Sequence, residues 1–182
     1  MTNLETLTQE NIVDFIQDIF ERRGGEEYLG EQVTMAEHML QGAHLAELAN
    51  EDEVTVVAVL LHDIGHFTSE FGSFSIDDTS DRFHEEAGAK VLEQFFPNLV
   101  TDCVRYHVAA KRYLCATEPE YFEQLSDASV HSLNLQGGAM SADEVQAFEK
   151  QANLSSIVKV RKYDDAGKSA VSYTHLTLPT KA

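Results

Sequence analysis

Residues 54–61, VTVVAVLL, are apolar on nearly every side of a helix and run straight into His62 and Asp63. A segment of that kind has no face to offer water, so it must form the buried centre of the fold. Its β-branched valines alone would suit a strand. The neighbouring segments repeat apolar residues at intervals of three and four, however, and no paired hairpin signals flank the run. The pattern therefore predicts a helix over 54–67. An ionised carboxylate inside a buried helix needs a partner, and a metal ion supplies one. Adjacent helical residues point about 100° apart, so His62 and Asp63 can share a metal only where the helix ends or bends; Gly65 offers such a place.

The rest of the chain reads as further helices around this one. Thr8 can cap a first helix whose Ile12, Ile16, Ile19 and Phe20 recur at helical spacing, and the glycines of 22–30 break it. A second helix is expected over about 32–49, with Val33, Met39, Leu40, Ala43 and Leu48 on its apolar side, followed by a turn at Asn50, Glu51 and Asp52. Beyond a loop rich in Ser, Asp and Gly (68–80), a helix is expected over 81–96. Pro97 opens another through Cys103 and His107 to Tyr113. The stretch 118–135 is helical in pattern and ended by Gly137 and Gly138. Ser141 and Glu144 form a capping box for a short helix, and Asn153 can cap a final one to about Asp164, closed by Gly167. The expectation is an all-α fold, one domain over residues 1–168.

Residues 169–182, SAVSYTHLTLPTKA, break with the chain before them: no acidic residue, no helical period, a late proline. They read either as a disordered tail or as a non-native run similar to the translated sequencing adaptors at the ends of some environmental gene fragments. No function is assigned to them.

Charge narrows the partners. The 182 residues carry 31 Asp and Glu against 13 Lys and Arg, a net charge of −18, which repels nucleic-acid phosphates and anionic lipid surfaces. The apolar run is far short of the ~20 residues that a spanning helix needs. The acidic opening MTNLETLTQE lacks the order of a signal peptide, and Cys103 and Cys115 cannot form a disulfide framework. These features predict a cytoplasmic protein with no nucleic-acid or membrane partner. The pattern specifies no oligomeric state.

His62 and Asp63 gain weight from His38, His84, His107 and Asp164, each on a separate expected helix. Any one of these histidines alone would more simply be an interior or surface residue. Together, four imidazoles and two carboxylates suit iron, manganese or zinc better than magnesium or calcium. Six ligands point to two metals, with one carboxylate bridging. Lys111 lies four residues after His107, His66 four after His62, and Arg161 three before Asp164, so all three belong on ligand-bearing faces. Cations gathered beside metals in so acidic a chain suggest an anionic substrate, a phosphate or phosphonate. The simpler reading of Lys111 and Arg161 is salt bridging to the many carboxylates. Ser126 and Ser129 could donate hydroxyls to the same anion.

The order His38, His62-Asp63, Asp164 resembles the HD-domain metal-dependent phosphohydrolase superfamily. The fuller set YLGE (28–31), EHMLQGA (37–43), LLHDIGH (60–66), HEEAGA (84–89), HVAAKRYL (107–114), LSDASVHSLNLQGGAM (125–140) and VRKYDD (160–165) resembles the HD-domain mixed-valence di-iron oxygenases. The nearest members cleave 1-hydroxy-2-aminoethylphosphonate or its trimethylammonio analogue. The resemblance covers about residues 28–168, and HVAAKRYL and LQGG are its most specific segments.

The resemblance implies a helical bundle around two iron ions, Fe(II)/Fe(III), with O₂ as co-substrate. His38, His62, Asp63 and Asp164 would hold one iron, Asp63 bridging, and His84 and His107 would complete the second. His66, Lys111, Ser129 and Arg161 match positions that hold the phosphonate. Tyr28 and Glu31 match a lid pair, the tyrosine occupying the open iron position until substrate displaces it and the glutamate pairing with it. Apart from the resemblance, Tyr28 is an ordinary half-buried aromatic. The family's last helix, after VRKYDD, has no recognisable counterpart here, which bears on stability and on dimer contacts.

A carbon–phosphorus bond offers water no good carbon leaving group, whereas oxidation of C1 to the carboxylate level makes phosphate a competent one. The implied products are an amino acid or betaine plus phosphate. The alternative is an HD-type phosphohydrolase or phosphodiesterase, in which the same six ligands support a bridging hydroxide. The Tyr28/Glu31 pair and HVAAKRYL favour the oxygenase. A catalytically silent metal-binding domain would show a damaged ligand set, and this one is intact.

Overall fold

A computed structural model describes residues 6–28, 30–68, 79–81 and 83–168. The stretch 169–182, most of the 68–80 loop and Leu29 of YLGE lie outside these residues. Among them the elements are helices α1 (Ile12–Arg23), α2 (Met35–Leu48), α3 (Glu53–Leu61), α4 (Gly65–Thr68), α5 (His84–Leu92), α6 (Asn98–Thr117), α7 (Pro119–Glu123), α8 (Asp127–Leu135), α9 (Ala142–Phe148) and α10 (Leu154–Ala166). No strand is present among the described residues beyond an isolated antiparallel bridge between Glu27 and Thr34. The fold is the all-α bundle that the periodicity predicts.

The apolar helix is the centre of the bundle. In α3, Ala58, Val59 and Leu61 are buried, with α2, α6 and α10 packed against it. Burying one such Val or Leu side chain contributes ~1.5–3 kcal/mol, so this face alone strongly favours a single packing arrangement. The cross-packing of α2 on α10 and of α5 on α6 closes the core. Caps set the starts: Thr34 and Glu37 form a capping box at α2, as do Ser141 and Glu144 at α9, and Asp52 accepts from Thr55 N at α3. No helix is long and apolar enough to cross a membrane among the described residues.

Several boundaries differ from the sequence reading. The single helix expected over 54–67 is two: winding stops at Leu61, and α4 begins at Gly65 after a tight turn. Gly65 lets α4 approach α5 closely, since a Cβ there would stand 1.7 Å from the His84 carbonyl oxygen. The next turn of α5 presents Gly88 to the same spot, so α4 and α5 cross on two glycines. The stretch 118–135 is also two helices, since Ser126 accepts from Ser129 N and starts a new one. Thr8 does not cap α1 with its side chain; its carbonyl accepts Ile12 N–H, and Asn11 occupies the cap position. Asn153 gives α10 no side-chain cap and instead donates to Asp102. α5 runs only over His84–Leu92, and Leu48 is 60% exposed rather than on the core side of α2.

Candidate dinuclear metal site and its anion pocket

Helix geometry brings the six ligand candidates to one point. His38 lies on the second turn of α2, His107 mid-way along α6 and Asp164 near the end of α10, while His84 is the first residue of α5. His62 and Asp63 sit in the turn after α3, where the backbone departs from the regular helix. All six are buried.

Two sets of atoms converge on the two oxygens of Asp63. On one side His38 Nε2 and His62 Nε2 are 3.1 Å apart, and stand 3.4 and 3.3 Å from Asp63 Oδ2. Asp164 Oδ1 completes this set at 3.5 Å from His38 Nε2 and 3.7 Å from His62 Nε2. On the other side His84 Nε2 and His107 Nε2 are 3.1 Å apart, and lie 3.3 and 3.2 Å from Asp63 Oδ1. Neighbouring ligands bonded at ~2.1 Å to one ion stand roughly 3.0–3.5 Å apart, which is the spacing found in both sets. Each set could hold a metal ion, with Asp63 shared between them.

Nδ1 of His62 donates to the Val59 carbonyl, and that of His107 to the Val104 carbonyl, both at 2.7 Å. Those bonds fix the ring orientation and turn Nε2 lone pairs toward the centre. Asp63 Oδ2 and Asp164 Oδ1 are buried with no hydrogen bond among the described residues. Lys168 Nζ stands 3.0 Å from Asp164 Oδ1, whereas Asp63 Oδ2 faces only imidazoles among the described ion pairs, and unsatisfied buried charge costs several kcal/mol that a cation removes. Without a metal the cluster holds a proton instead: burial alone would push His62 down, but Asp63 and Asp164 outweigh it and raise it to about 10. Metal binding must displace that proton. Burial holds His107 down at about 4 despite Asp63, so this imidazole is neutral, as a metal ligand would have to be.

Beside the ligands is a cavity of about 30 Å³, lined by Tyr28, His66, Lys111, Ser129, Arg161 and Lys168 among others. His66 stacks on His84 with ring centroids 4.0 Å apart, and its Nε2 has no hydrogen bond among the described residues. Burial, with His84 beside it, keeps this ring well below the usual histidine range, hence neutral. Lys111 Nζ donates to Ser132 Oγ at 2.7 Å rather than to a carboxylate. Arg161 does form the salt bridges of the simpler reading, donating to Asp164 Oδ2 at 2.5 Å and to Asp165. It therefore braces a ligand and faces the cavity together.

Tyr28 is buried, with its ring parallel to that of His38, and Asp63 and Asp164 are near enough to act on its hydroxyl. Glu31 is placed differently from the expected pairing. Its carboxylate accepts from Ser126 Oγ at 2.5 Å, and its link to Tyr28 is through the backbone, Glu31 N to Tyr28 O at 2.7 Å.

Lys168 was not among the sequence candidates. Its Nζ donates to Ser129 Oγ at 3.1 Å and lies 3.0 Å from Asp164 Oδ1. The i, i+4 rule that singles out Lys111 after His107 also selects Lys168 after Asp164. Ser132, Tyr121 and Asp165, which hold Lys111 and Arg161, carry no such signal in the sequence.

Residues 35–146 match the HD domain family. The chain is 68% identical over 168 residues, 92% of its length and 86% of the relative's, to 1-hydroxy-2-(trimethylamino)ethylphosphonate dioxygenase (glycine-betaine-forming) of Leisingera caerulea. It is 41% identical over 148 residues (79% of this chain, 72% of the relative) to hydroxymethylphosphonate dioxygenase of Gimesia maris. It is also similar to an uncharacterized protein of Acanthamoeba polyphaga mimivirus, 36% identical over 173 residues that cover 91% of this chain and 76% of the relative. A histidine on α2, a His-Asp pair at the end of the central helix and a family match that spans both leave one assignment: the chain belongs to the HD-domain family.

Proposed function

We propose that this protein is a di-iron oxygenase that cleaves the carbon–phosphorus bond of 1-hydroxy-2-(trimethylammonio)ethylphosphonate, giving glycine betaine and phosphate in the cytoplasm. The observation that carries the reading is the 68% identity to a relative named for that reaction. The 41% identical relative is also named a dioxygenase, of a phosphonate whose hydroxyl sits on the phosphorus-bearing carbon. That shared chemistry favours oxidation over hydrolysis. One substrate and one O₂ give the betaine carboxylate, hydrogen phosphate and one proton, with no further reductant.

His38, His62, Asp63 and Asp164 would hold one iron and His84 and His107 the other, with Asp63 bridging. The donor set supports this, since buried carboxylate oxygens and imidazole nitrogens stand at ligand spacing around two points. When bound, the ions supply the one-electron chemistry that lets O₂ oxidise C1. The chain's own part is binding and protection. Lys111, Arg161, Lys168 and Ser129 offer charge-assisted hydrogen bonds to a phosphonate. His66, neutral and unpartnered at Nε2, can hold or give a proton at a substrate oxygen. A cavity of about 30 Å³ has room for roughly one water, so the lining must open for a phosphonate to enter, and Tyr28 is the lining residue that would move aside. Tyr28 thus keeps the site closed until substrate arrives, and the bound geometry then sets C1 against the metals.

The test is spectroscopic. Anaerobically loaded protein, partly oxidised, should hold two irons per chain and give the EPR signal of an antiferromagnetically coupled mixed-valent pair that changes on substrate addition. Two iron centres with no coupling, or full activity with zinc, would refute the oxygenase reading.

A further inference from the structure

Of the four candidate ligand histidines, His62 and His107 rest their Nδ1 on carbonyl oxygens three residues earlier in the chain. His38 Nδ1 has no hydrogen bond among the described residues. His84 is different again. As the first residue of α5 it has no helical turn beneath it, and the chain enters from Phe83 in the left-handed conformation, φ 51° and ψ 40°. No helical carbonyl can therefore back its ring. What stands there is the carboxylate of the next residue: Glu85 Oε2 lies 3.4 Å from His84 Nδ1.

Glu85 is an unusual residue to find in that place. Its side chain is 13% exposed, and Oε2 is buried without a hydrogen bond among the described residues. Most of the chain's acidic residues lie on the surface, so an acid turned inward needs a reason. A carboxylate behind a metal-binding imidazole supplies one: it fixes the tautomer and ring orientation and increases ligand basicity. We propose that Glu85 is a positioning residue for His84, the carboxylate that aims His84 Nε2 at the second metal and tightens that metal selectively. The first metal's ligands, on α2, the end of α3 and α10, make no contact with Glu85 among the described interactions.

The inference rests on the two-metal reading of the site, and the experiment separates the two. Iron content and affinity are measured for the wild type, Glu85→Ala and Glu85→Gln, titrated anaerobically with Fe(II) and read by metal analysis and by the coupled-pair EPR signal. The wild type should take up two ions. Glu85→Ala should keep the first with unchanged affinity, bind the second roughly 10- to 100-fold more weakly, and lose the coupled signal at limiting iron. Glu85→Gln, whose amide oxygen can stand in the same place beside Nδ1, should recover most of the loss. A wild type that holds a single ion defeats the two-metal reading itself. If it holds two and Glu85→Ala binds both as tightly, or weakens both equally, or Glu85→Gln behaves like Glu85→Ala, Glu85 has no selective role at His84.

Discussion

The ring of Tyr28 lies parallel to the imidazole of His38, with centroids 4.0 Å apart and 13° between the planes. A phenol so placed sits over one residue of the first candidate ligand set, close enough to Asp63 for that carboxylate to act on its hydroxyl. Its loop is fastened from the other side, where Glu31 accepts from Ser126 at the start of α8. The Tyr28 loop and the cavity therefore meet on one helix, since Ser129, which lines the cavity, is one turn further on.

Burial and the nearby Asp63 and Asp164 raise Tyr28 well above the usual phenol range in the metal-free protein. A phenolate band in the visible spectrum should consequently need ferric iron, and should fade when substrate binds. Tyr28→Phe should keep its iron, lose the band and consume O₂ without turnover. An unchanged spectrum in that variant removes Tyr28 from the metal.

Lys111 and Arg161 should separate by what else they touch. Lys111 bonds Ser132 and no ligand, so Lys111→Ala should raise KM roughly 10- to 100-fold with iron content intact, the loss expected of one charge-assisted hydrogen bond. Arg161 also braces Asp164, so Arg161→Ala should raise KM and weaken the first iron together. Equal iron loss in both variants would mean that neither acts chiefly on substrate.

Burial, with Arg161 and Lys168 nearby, pushes Lys111 down to about 7. A dianionic phosphonate favours the charged amine, so the bound pKa is the higher one. Affinity is then fully present below about 7 and falls as pH rises toward the bound value, by up to about tenfold per unit. Dissociation constants measured anaerobically from pH 6 to 9 should show this extra limb in the wild type and not in Lys111→Met, in which the substrate's own titration remains. Parallel profiles would contradict the assignment.

Gly65→Ala should be severe. Its Cβ would stand 1.7 Å from the His84 carbonyl, a backbone atom that cannot swing away. Separating α4 from α5 should cost roughly 3 kcal/mol and displace His66 and His84 together. Thermal denaturation and iron analysis should show a lower Tm and the second iron lost first; wild-type values for both would show that the crossing yields easily.

The convergence of the six ligand candidates was legible because residue type and helical context coincide. His62-Asp63 terminates an apolar helix, and the other four candidates fall one to a helix, a pattern that chance rarely produces. Glu85 was illegible because one more acid among 31 in a chain of charge −18 carries no signal until its burial is known. The break at Ser126 was hidden for a related reason. Residues 118–135 keep a helical period across it, and only the hydroxyl accepting Ser129 N reveals the new start. Glu31 illustrates what separation in sequence conceals: its partner Ser126 is 95 residues away.

The central claim, that two irons sharing Asp63 use O₂ to break a carbon–phosphorus bond, is tested most directly by stoichiometry. Iron-loaded protein is mixed with 1-hydroxy-2-(trimethylammonio)ethylphosphonate, and O₂ uptake, phosphate and glycine betaine are measured in the same vessel. Equal amounts of all three, with no phosphate released under anaerobic conditions, are the predicted result. Phosphate released without O₂, or O₂ consumed with the substrate intact in a protein holding both irons, would contradict it.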